Sequence, residues 1–264
     1  MERSFKAIIM RQILIVIFSL FSLAIFAQSI KEMEPVLGRL VDVSPEGEIA
    51  FIKQMEQCEG IWKKVNNQKD YDKLSPEEKK IYDNCDDAHE NYWDILSQGC
   101  SWYCGGGRDT ASASSELKPL KGITYSARNS HDLSYKTAWI EGVPGYGIGE
   151  YLLYSFPPEN PRITKVIIVN GYVKSANAWK ENSRVKKLKM YINNKPFAIL
   201  NLADTRREQS FSFAPIGNGD RKNFEMLKSK PWWTMKFEIM EVYPGDKYDD
   251  TAITEIYFDG IDVH

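Results

Sequence analysis

Three glycines spaced two residues apart, Gly145, Gly147 and Gly149, are the part of the sequence most suggestive of phosphate binding. A phosphate cradle places such glycines between a strand and a helix, where the free N–H groups of the helix meet the anion. Here the glycines lead into the strand-like run EYLLYSF, and no Lys, Ser or Thr directly follows Gly149. The pattern therefore predicts a tight turn between strands.

The sequence CSWYC, which contains Cys100 and Cys104, has two cysteines close enough together for redox or metal chemistry. Its spacing differs from the C-x-x-C of thioredoxin-like sites, and no second Cys or His pair completes a zinc set. His89 is the only histidine nearby. With Cys58 and Cys85 the count is even, which indicates structural disulfides in an exported chain.

Two polar segments, 170–184 and 242–250, combine aromatic with hydrogen-bonding side chains. Sugars bind by stacking on aromatic rings and by hydrogen bonds to a few polar groups, often on loops between strands. Each residue also has a structural interpretation, since rings can cover the core, Asp can cap a turn, and Arg184 can be a buried partner for a carboxylate. The candidate ligand-binding residues are Tyr172, Trp179, Asn182, Arg184, Tyr243, Lys247, Tyr248, Asp249 and Asp250.

Signals for catalysis are weak. The histidines are His89, His131 and His264, and no nucleophile elbow, metal-ligand pair or kinase-type loop accompanies them. Glu141 and Glu150 flank the glycine turn and could form an acid–base pair. We favour a strand-edge position for Glu150 and a solvent-exposed position for Glu141. The sequence therefore predicts a protein that is not an enzyme.

The last 145 residues, 120–264, are rich in β-branched and aromatic runs separated by turn signals. Leu188, Met190 and Ile192 alternate with Lys and Tyr, which is the period of a strand with one buried face. Seven or eight such runs without a helical pattern between them indicate a mainly β fold, a β-sandwich or jelly roll. The preceding segment 105–119 is rich in Gly and Ser and is typical of a linker.

Residues 28–104 are predicted to form a small helical hairpin that contains the four cysteines. The second helix begins with a capping box, in which Ser75 is the N-cap and Glu78 completes the pair. Antiparallel helices would bring Cys58 opposite Cys85, so we favour that disulfide, with Cys100 paired to Cys104; the other two connectivities stay open. The apolar stripes are Phe51, Met55, Cys58, Trp62 and Val65, and Ile81, Cys85, Ala88, Tyr92 and Ile95.

Residues 1–27 have the pattern of a cleaved secretory signal: Arg11, an apolar run over 13–26, and Ala27 before the polar Gln28. A membrane anchor is the alternative, for which the run is short. We expect a secreted, periplasmic or cell-surface protein without a transmembrane segment after cleavage. The net charge of −2 argues against nucleic acid as a partner.

Three long stretches carry a family resemblance: HDLSYKTAWIEGVPGYGIGEYLLYSF, VNGYVKSANAWKENSRVKKLKMYINN and VYPGDKYDDTAITEIYFDGIDV. They closely resemble the discoidin-like (F5/8 type C) domain, in particular the subfamily attached to NAD glycohydrolase toxins, where it is a glycan-binding translocation module. The resemblance covers residues 112–264. It implies a galactose-binding-like β-sandwich that recognises sugar, and it does not extend to the catalytic portion of the toxins.

The resemblance also implies a structural Ca²⁺, because members of the wider fold often hold one near the first and last strands of the domain. Calcium prefers several oxygen ligands, including carboxylates. Asp132, Thr137 and Glu255 stand at the corresponding positions. The competing interpretation is a salt bridge from Glu255 to Arg128 or Arg184.

Three function classes follow, in descending order. The first is an exported, non-catalytic carbohydrate-binding protein whose sandwich loops contact a glycan. The second is a protein-interaction or envelope-structural module, with the helical hairpin as the docking element for a protein partner. The third is an enzyme that acts on a glycan or on NAD.

Overall fold

The computed structural model describes residues 30–83, 85, 94–96 and 101–263, and within these residues the chain is mainly β. The predicted signal, 1–27, lies outside them. The helices are α1 Pro45–Trp62, α2 Gln68–Asp72, α3 Pro76–Asp83, α4 Ala176–Glu181 and α5 Phe224–Lys228, with a 3₁₀ turn over Ala127–Ser130. The strands are β1 Lys31–Met33, β2 Val36–Leu40, β3 Thr110–Ala113, β4 Trp139–Ile140, β5 Tyr151–Phe156, β6 Arg162–Asn170, β7 Ser183–Ile192, β8 Lys195–Asn201, β9 Arg207–Ile216, β10 Trp233–Tyr243 and β11 Thr251–Ile261.

The strands form two layers. One layer has the order β2-β9-β6-β11, with β4 beside β11, and the other has the order β3-β5-β10-β7-β8-β1. A short parallel contact between the starts of β7 and β11 connects the layers, while the other named pairs with a printed register are antiparallel. The described residues from Glu32 onward belong to one compact unit. The predicted β-sandwich is confirmed.

The core lies between the two layers. Phe258 of β11 contacts Tyr154 and Phe156 of β5 edge-to-face, with ring centroids 5.3 and 5.1 Å apart. The predicted alternation holds in β7, where Leu188 and Met190 are fully buried. Each such side chain contributes about 1.5–3 kcal/mol when it leaves water, so this shared apolar seam is the main stabilising feature of the fold.

The predicted staple of the helical segment is confirmed. Cys58 in α1 is bonded to Cys85, which follows α3, with a Cα–Cα distance of 5.5 Å. The capping box also forms: the Glu78 N–H donates to Ser75 Oγ and the Ser75 N–H donates to Glu78 Oε2. Cys100, Ala88 and Tyr92 lie outside the described residues, so the predicted Cys100–Cys104 pair stays a prediction.

The segment expected to be a linker, 105–119, contains a strand. β3 pairs antiparallel with β5 and forms an edge of its layer. Just before it, Trp102 is fully buried and its Nε1–H donates to the carbonyl of Pro161 at 2.7 Å. A Cβ at Gly107 would lie 2.2 Å from that indole, so the glycine provides close approach instead of flexibility. The linker interpretation is therefore corrected at Thr110–Ala113, where small side chains suit an edge strand.

No helix within the described residues has both the length and the apolar character needed to span a membrane.

Candidate functional site

Three loops meet at the end of the sandwich where β7 and β11 begin: residues 143–149, 171–182 and 244–250, here called the loop platform. The Thr251 hydroxyl donates to the carbonyl of Tyr146 at 2.9 Å, which joins the first loop to β11. The backbone N–H of Tyr248 donates to the Glu181 carbonyl at 2.8 Å, which joins the third loop to α4. The platform is therefore held by hydrogen bonds to regular elements.

The glycine segment in the platform is a turn, as predicted. Gly145, Gly147 and Gly149 all have positive φ, between 63° and 93°, which side chains rarely adopt. A Cβ on Gly147 would also lie 2.5 Å from the Glu141 side chain. The turn thus folds directly over Glu141.

Glu141 is buried, which corrects the expectation that it lies in solvent. Its two carboxylate oxygens accept hydrogen bonds from the N–H groups of Thr251 and Val143, at 3.2 and 2.9 Å. Burial raises its pKa above the usual value. Glu150 instead accepts a hydrogen bond from the Ser114 hydroxyl at 2.6 Å. Glu141 thus ties the turn to β11, which is a structural role.

Arg184 underlies the platform and is engaged by protein groups. Its guanidinium makes a bidentate pair with Asp204, at 3.0 and 2.9 Å, and also donates to the carbonyls of Asn182 and Pro244. It stacks over the Trp179 ring, with 4.6 Å from Cζ to the ring centroid. The sequence alternative, in which Arg184 is a buried partner of a carboxylate, thus describes this side chain, with the more exposed Asp204 as its partner.

Other candidates beside Arg184 also make structural contacts. The Trp179 indole N–H donates to the Asn170 carbonyl at 3.1 Å, and the Tyr243 hydroxyl donates to the Leu202 carbonyl at 3.0 Å. The Asn182 side-chain amide donates to the Ala178 carbonyl. Tyr172 is buried and packs edge-to-face on Tyr125. These side chains therefore contact other protein groups and hold the platform loops in place.

The side chains that face solvent lie on the third loop. Tyr248 is 40% exposed, and Lys247 and Asp249 beside it are exposed as well. Lys247 Nζ lies 4.8 Å from the centroid of the Tyr248 ring and 3.8 Å from a Glu181 carboxylate oxygen. Burial and the neighbouring Asp249 charge raise the pKa of Asp250. This loop offers an aromatic ring with charged groups at its rim.

Sequence reasoning missed Tyr146 as a candidate. Its ring is 38% exposed in the glycine turn, next to the exposed Ile148. The signal was present, because a large aromatic residue between glycines in a turn has no core to cover. Tyr146 and Tyr248 thus lie on two neighbouring loops of the same platform.

Asp132, Thr137 and Glu255 come together beside the start of β4. The Thr137 hydroxyl lies 2.9 and 2.8 Å from the two Asp132 carboxylate oxygens. Glu255 is fully buried; its Oε1 accepts from the Leu133 N–H at 3.1 Å, and its Oε2 has no hydrogen-bond partner. Burial, then the Asp132 charge, raises the pKa of Glu255 well above its usual range.

A family model described as the NAD glycohydrolase translocation F5/8 type C domain matches residues 102–259. No curated protein matches significantly.

Similar solved structures have low identity. CpGH89CBM32-5 from Clostridium perfringens, in complex with GalNAc-β-1,3-galactose, is 16% identical, with 61% of this chain and 99% of that chain covered and a TM-score of 0.41. The CBM32-1 and CBM32-2 domains of Clostridium perfringens ZmpB, in complex with GalNAc, are 12% identical, covering 58% and 33%, with a TM-score of 0.40. The mycobacterial arabinofuranosyltransferase AftD is 14% identical, covering 67% and 12%, with a TM-score of 0.39. This chain thus spans about a third of the ZmpB structure, and likeness at this level assigns no ligand.

Proposed function

Because this chain belongs to the NAD glycohydrolase translocation F5/8 type C domain family, we propose that it is an exported, non-catalytic glycan-binding protein that uses the loop platform. The observation that carries the proposal is the pair of exposed tyrosines, Tyr146 and Tyr248, on two adjoining loops that regular elements hold in place. Exposed rings on preformed loops offer the apolar face that a sugar stacks on.

The polar groups needed for orientation stand beside one of these rings. Lys247 and Asp249 are exposed, and Asp250 is half-buried. A carboxylate accepts hydrogen bonds from sugar hydroxyls and an ammonium donates to them, so this edge can read adjacent hydroxyls. The buried Tyr172 and Arg184, together with the partly buried Trp179, Asn182 and Tyr243, hold the loops in the binding geometry.

A bound calcium ion is part of the same proposal. Asp132 and Glu255 would supply two carboxylates and Thr137 a hydroxyl, whereas among the described residues no three His, Cys, Asp or Glu side chains are grouped to hold a metal ion. The fit rests on Glu255 Oε2, a buried oxygen without a partner. Calcium prefers such oxygen ligands and accepts carbonyl oxygens for the rest of its shell. The ion would neutralise two carboxylates and brace the turn that precedes β4.

The test is a glycan array probed with the protein and with two variants, Tyr248→Ala and Tyr146→Ala. The control is Phe197→Ala, which removes a partly exposed ring from β8, away from the platform. Loss of a stacking ring costs about 1.4 kcal/mol, or roughly tenfold in affinity. We expect that loss in both Tyr variants and none in the control.

Two results would overturn the proposal. The first is folded protein that binds no glycan on the array. The second is glycan binding that both Tyr variants retain at full strength. A co-purifying protein whose association is insensitive to free sugars would point to the protein-interaction alternative.

A further inference from the structure

Trp232 divides two clefts at the end of the sandwich opposite the loop platform. β10 begins directly after it and ends at the platform, so the two ends are a full strand apart. The indole is 55% exposed. One cleft, of about 470 Å³, lies between Trp232 and the loop after β5, and the other, of about 330 Å³, lies between Trp232 and the turn after β7. Both volumes are in the range of small-ligand sites.

The walls of these clefts are preformed. The next residue, Trp233, is buried and stacks on Phe156, with ring centroids 4.4 Å apart. The loop after β5 is held from outside, because Asn218 Nδ2 donates to the Pro158 carbonyl and the Arg221 guanidinium donates to two further carbonyls of the loop. A ligand would therefore bind without having to order these loops and side chains, because contacts within the fold already hold them in place.

Buried polar atoms without hydrogen-bond partners gather around the same clefts. Among the described residues they include the Trp233 indole N–H and Asp109 Oδ1. Asp109 Oδ2 does lie 2.8 Å from His131 Nε2. Trp233 and Asp109 belong to the cleft walls. Such groups are costly unless a ligand or held water satisfies them.

The unsatisfied groups include both kinds of hydrogen-bonding atom. The indole N–H of Trp233 needs an acceptor, whereas Asp109 Oδ1 needs a donor. A hydroxyl group provides both, and a sugar ring combines several hydroxyls with an apolar face that suits an exposed indole.

The charges of the larger cleft nearly cancel. Arg108 and Lys228 are balanced by Glu159 and Asp109, and Arg108 already pairs with Glu159 at 2.8 Å. An anionic headgroup or phosphate therefore meets no net positive potential there. We propose that the two clefts flanking Trp232 form a second carbohydrate site, for a neutral saccharide that stacks on the Trp232 ring. The site does not depend on the loop platform, and together the two would let one molecule bridge two glycan chains.

The test follows the indole N–H resonances of ¹⁵N-labelled protein by NMR during titration with glucose, galactose, mannose, N-acetylglucosamine, N-acetylgalactosamine, lactose and cellobiose. We expect at least one sugar to shift the resonances of Trp232 and Trp233. Trp232→Ala should weaken that response of Trp233 at least tenfold, and Trp232→Phe should weaken it less. Tyr248→Ala and Phe197→Ala should leave it unchanged.

A separate titration uses phosphatidylglycerol vesicles in place of the sugars. Three results would overturn this inference: no shift with any of these sugars in folded protein, shifts that the vesicles produce and the sugars do not, and shifts that Tyr248→Ala abolishes. The two proposals fail separately. If array binding falls only in Tyr248→Ala and Tyr146→Ala, the proposal for the loop platform stands and the proposal for the Trp232 site fails. If array binding falls only in Trp232→Ala, the Trp232 proposal stands and the platform proposal fails.

Discussion

Removal of the Cys58–Cys85 disulfide should unfold the helical segment and leave the sandwich folded. The bond closes a chain separation of 27 residues. The loss of chain entropy in the unfolded state then corresponds to about 3.6 kcal/mol of stabilisation. We expect the double variant Cys58→Ser/Cys85→Ser to lose approximately that free energy in this segment.

The rest of the segment cannot replace this contribution. In α2 and α3 no residue is buried, and α1 buries only Cys58 and Ile61. The ion pair between Lys64 and Glu78, at 2.7 Å, is exposed to solvent, and such surface pairs contribute little to stability. Isolated helices of 5 and 8 residues, the lengths of α2 and α3, are marginal without packing. The disulfide is therefore the dominant stabilising contact of α1 to α3.

Hydrogen exchange measured by mass spectrometry checks this prediction. Peptides from 45–83 should lose protection in the double variant, while peptides from β6 and β11 keep theirs. The Cys104→Ser variant, which leaves the Cys58–Cys85 bond intact, is the control and should keep protection over 45–83. Unchanged protection over 45–83 in the double variant, or a loss that extends into β6 and β11, would refute the reasoning.

Further predictions concern the buried charges. Arg184→Lys cannot keep the bidentate pair with Asp204 and should cost about 2 kcal/mol in urea unfolding; a cost no larger than that of Lys165→Met, which removes a surface pair, would contradict the structural role of Arg184. Calcium at 100 times its dissociation constant should stabilise the protein by about 2.7 kcal/mol in thermal unfolding, and an equal gain in Glu255→Gln would exclude the proposed site. Because burial and the Asp132 charge raise the pKa of Glu255 in the folded state, this carboxyl of the calcium-free protein binds more protons folded than unfolded above pH 4.5. The contribution of Glu255 to stability should therefore fall as pH rises from that point, and the change in urea midpoint between pH 5 and 7.5 should differ in Glu255→Gln by the loss of this contribution.

Sequence patterns predicted the strands, helix caps and turns well, because the interactions that form these elements involve residues close together in the chain. The alternation around Leu188 and Met190 predicted a strand with one buried face, and both side chains are buried. Ser75 and Glu78 predicted a capping box, and both of its hydrogen bonds form. Gly147 predicted a turn, and its φ is positive in the structure, a conformation that glycine adopts readily. In each case the deciding interaction spans only a few residues of chain.

The candidate site was predictable only as a pair of loops. Sequence could not separate Arg184, which Asp204 engages from 20 residues away, from Tyr248, which faces solvent. The sequence predicted that Glu141 lies in solvent. In the structure Glu141 is buried and accepts a hydrogen bond from the N–H of Thr251, which is 110 positions further along the chain. The partners come from distant strands, so the exposure of each side chain depends on the register of the layers.

The amino-acid sequence alone determined that the chain alternates as a two-layered β protein and turns at its glycines, and it favoured a disulfide between Cys58 and Cys85, which the structure then selected among the possible pairings. Only the tertiary structure decided which aromatic rings reach solvent and which polar atoms are left without partners. The physical reason is that periodicity, capping and φ preference act within a few residues, whereas burial and hydrogen-bond satisfaction belong to groups that folding brings together from far along the chain.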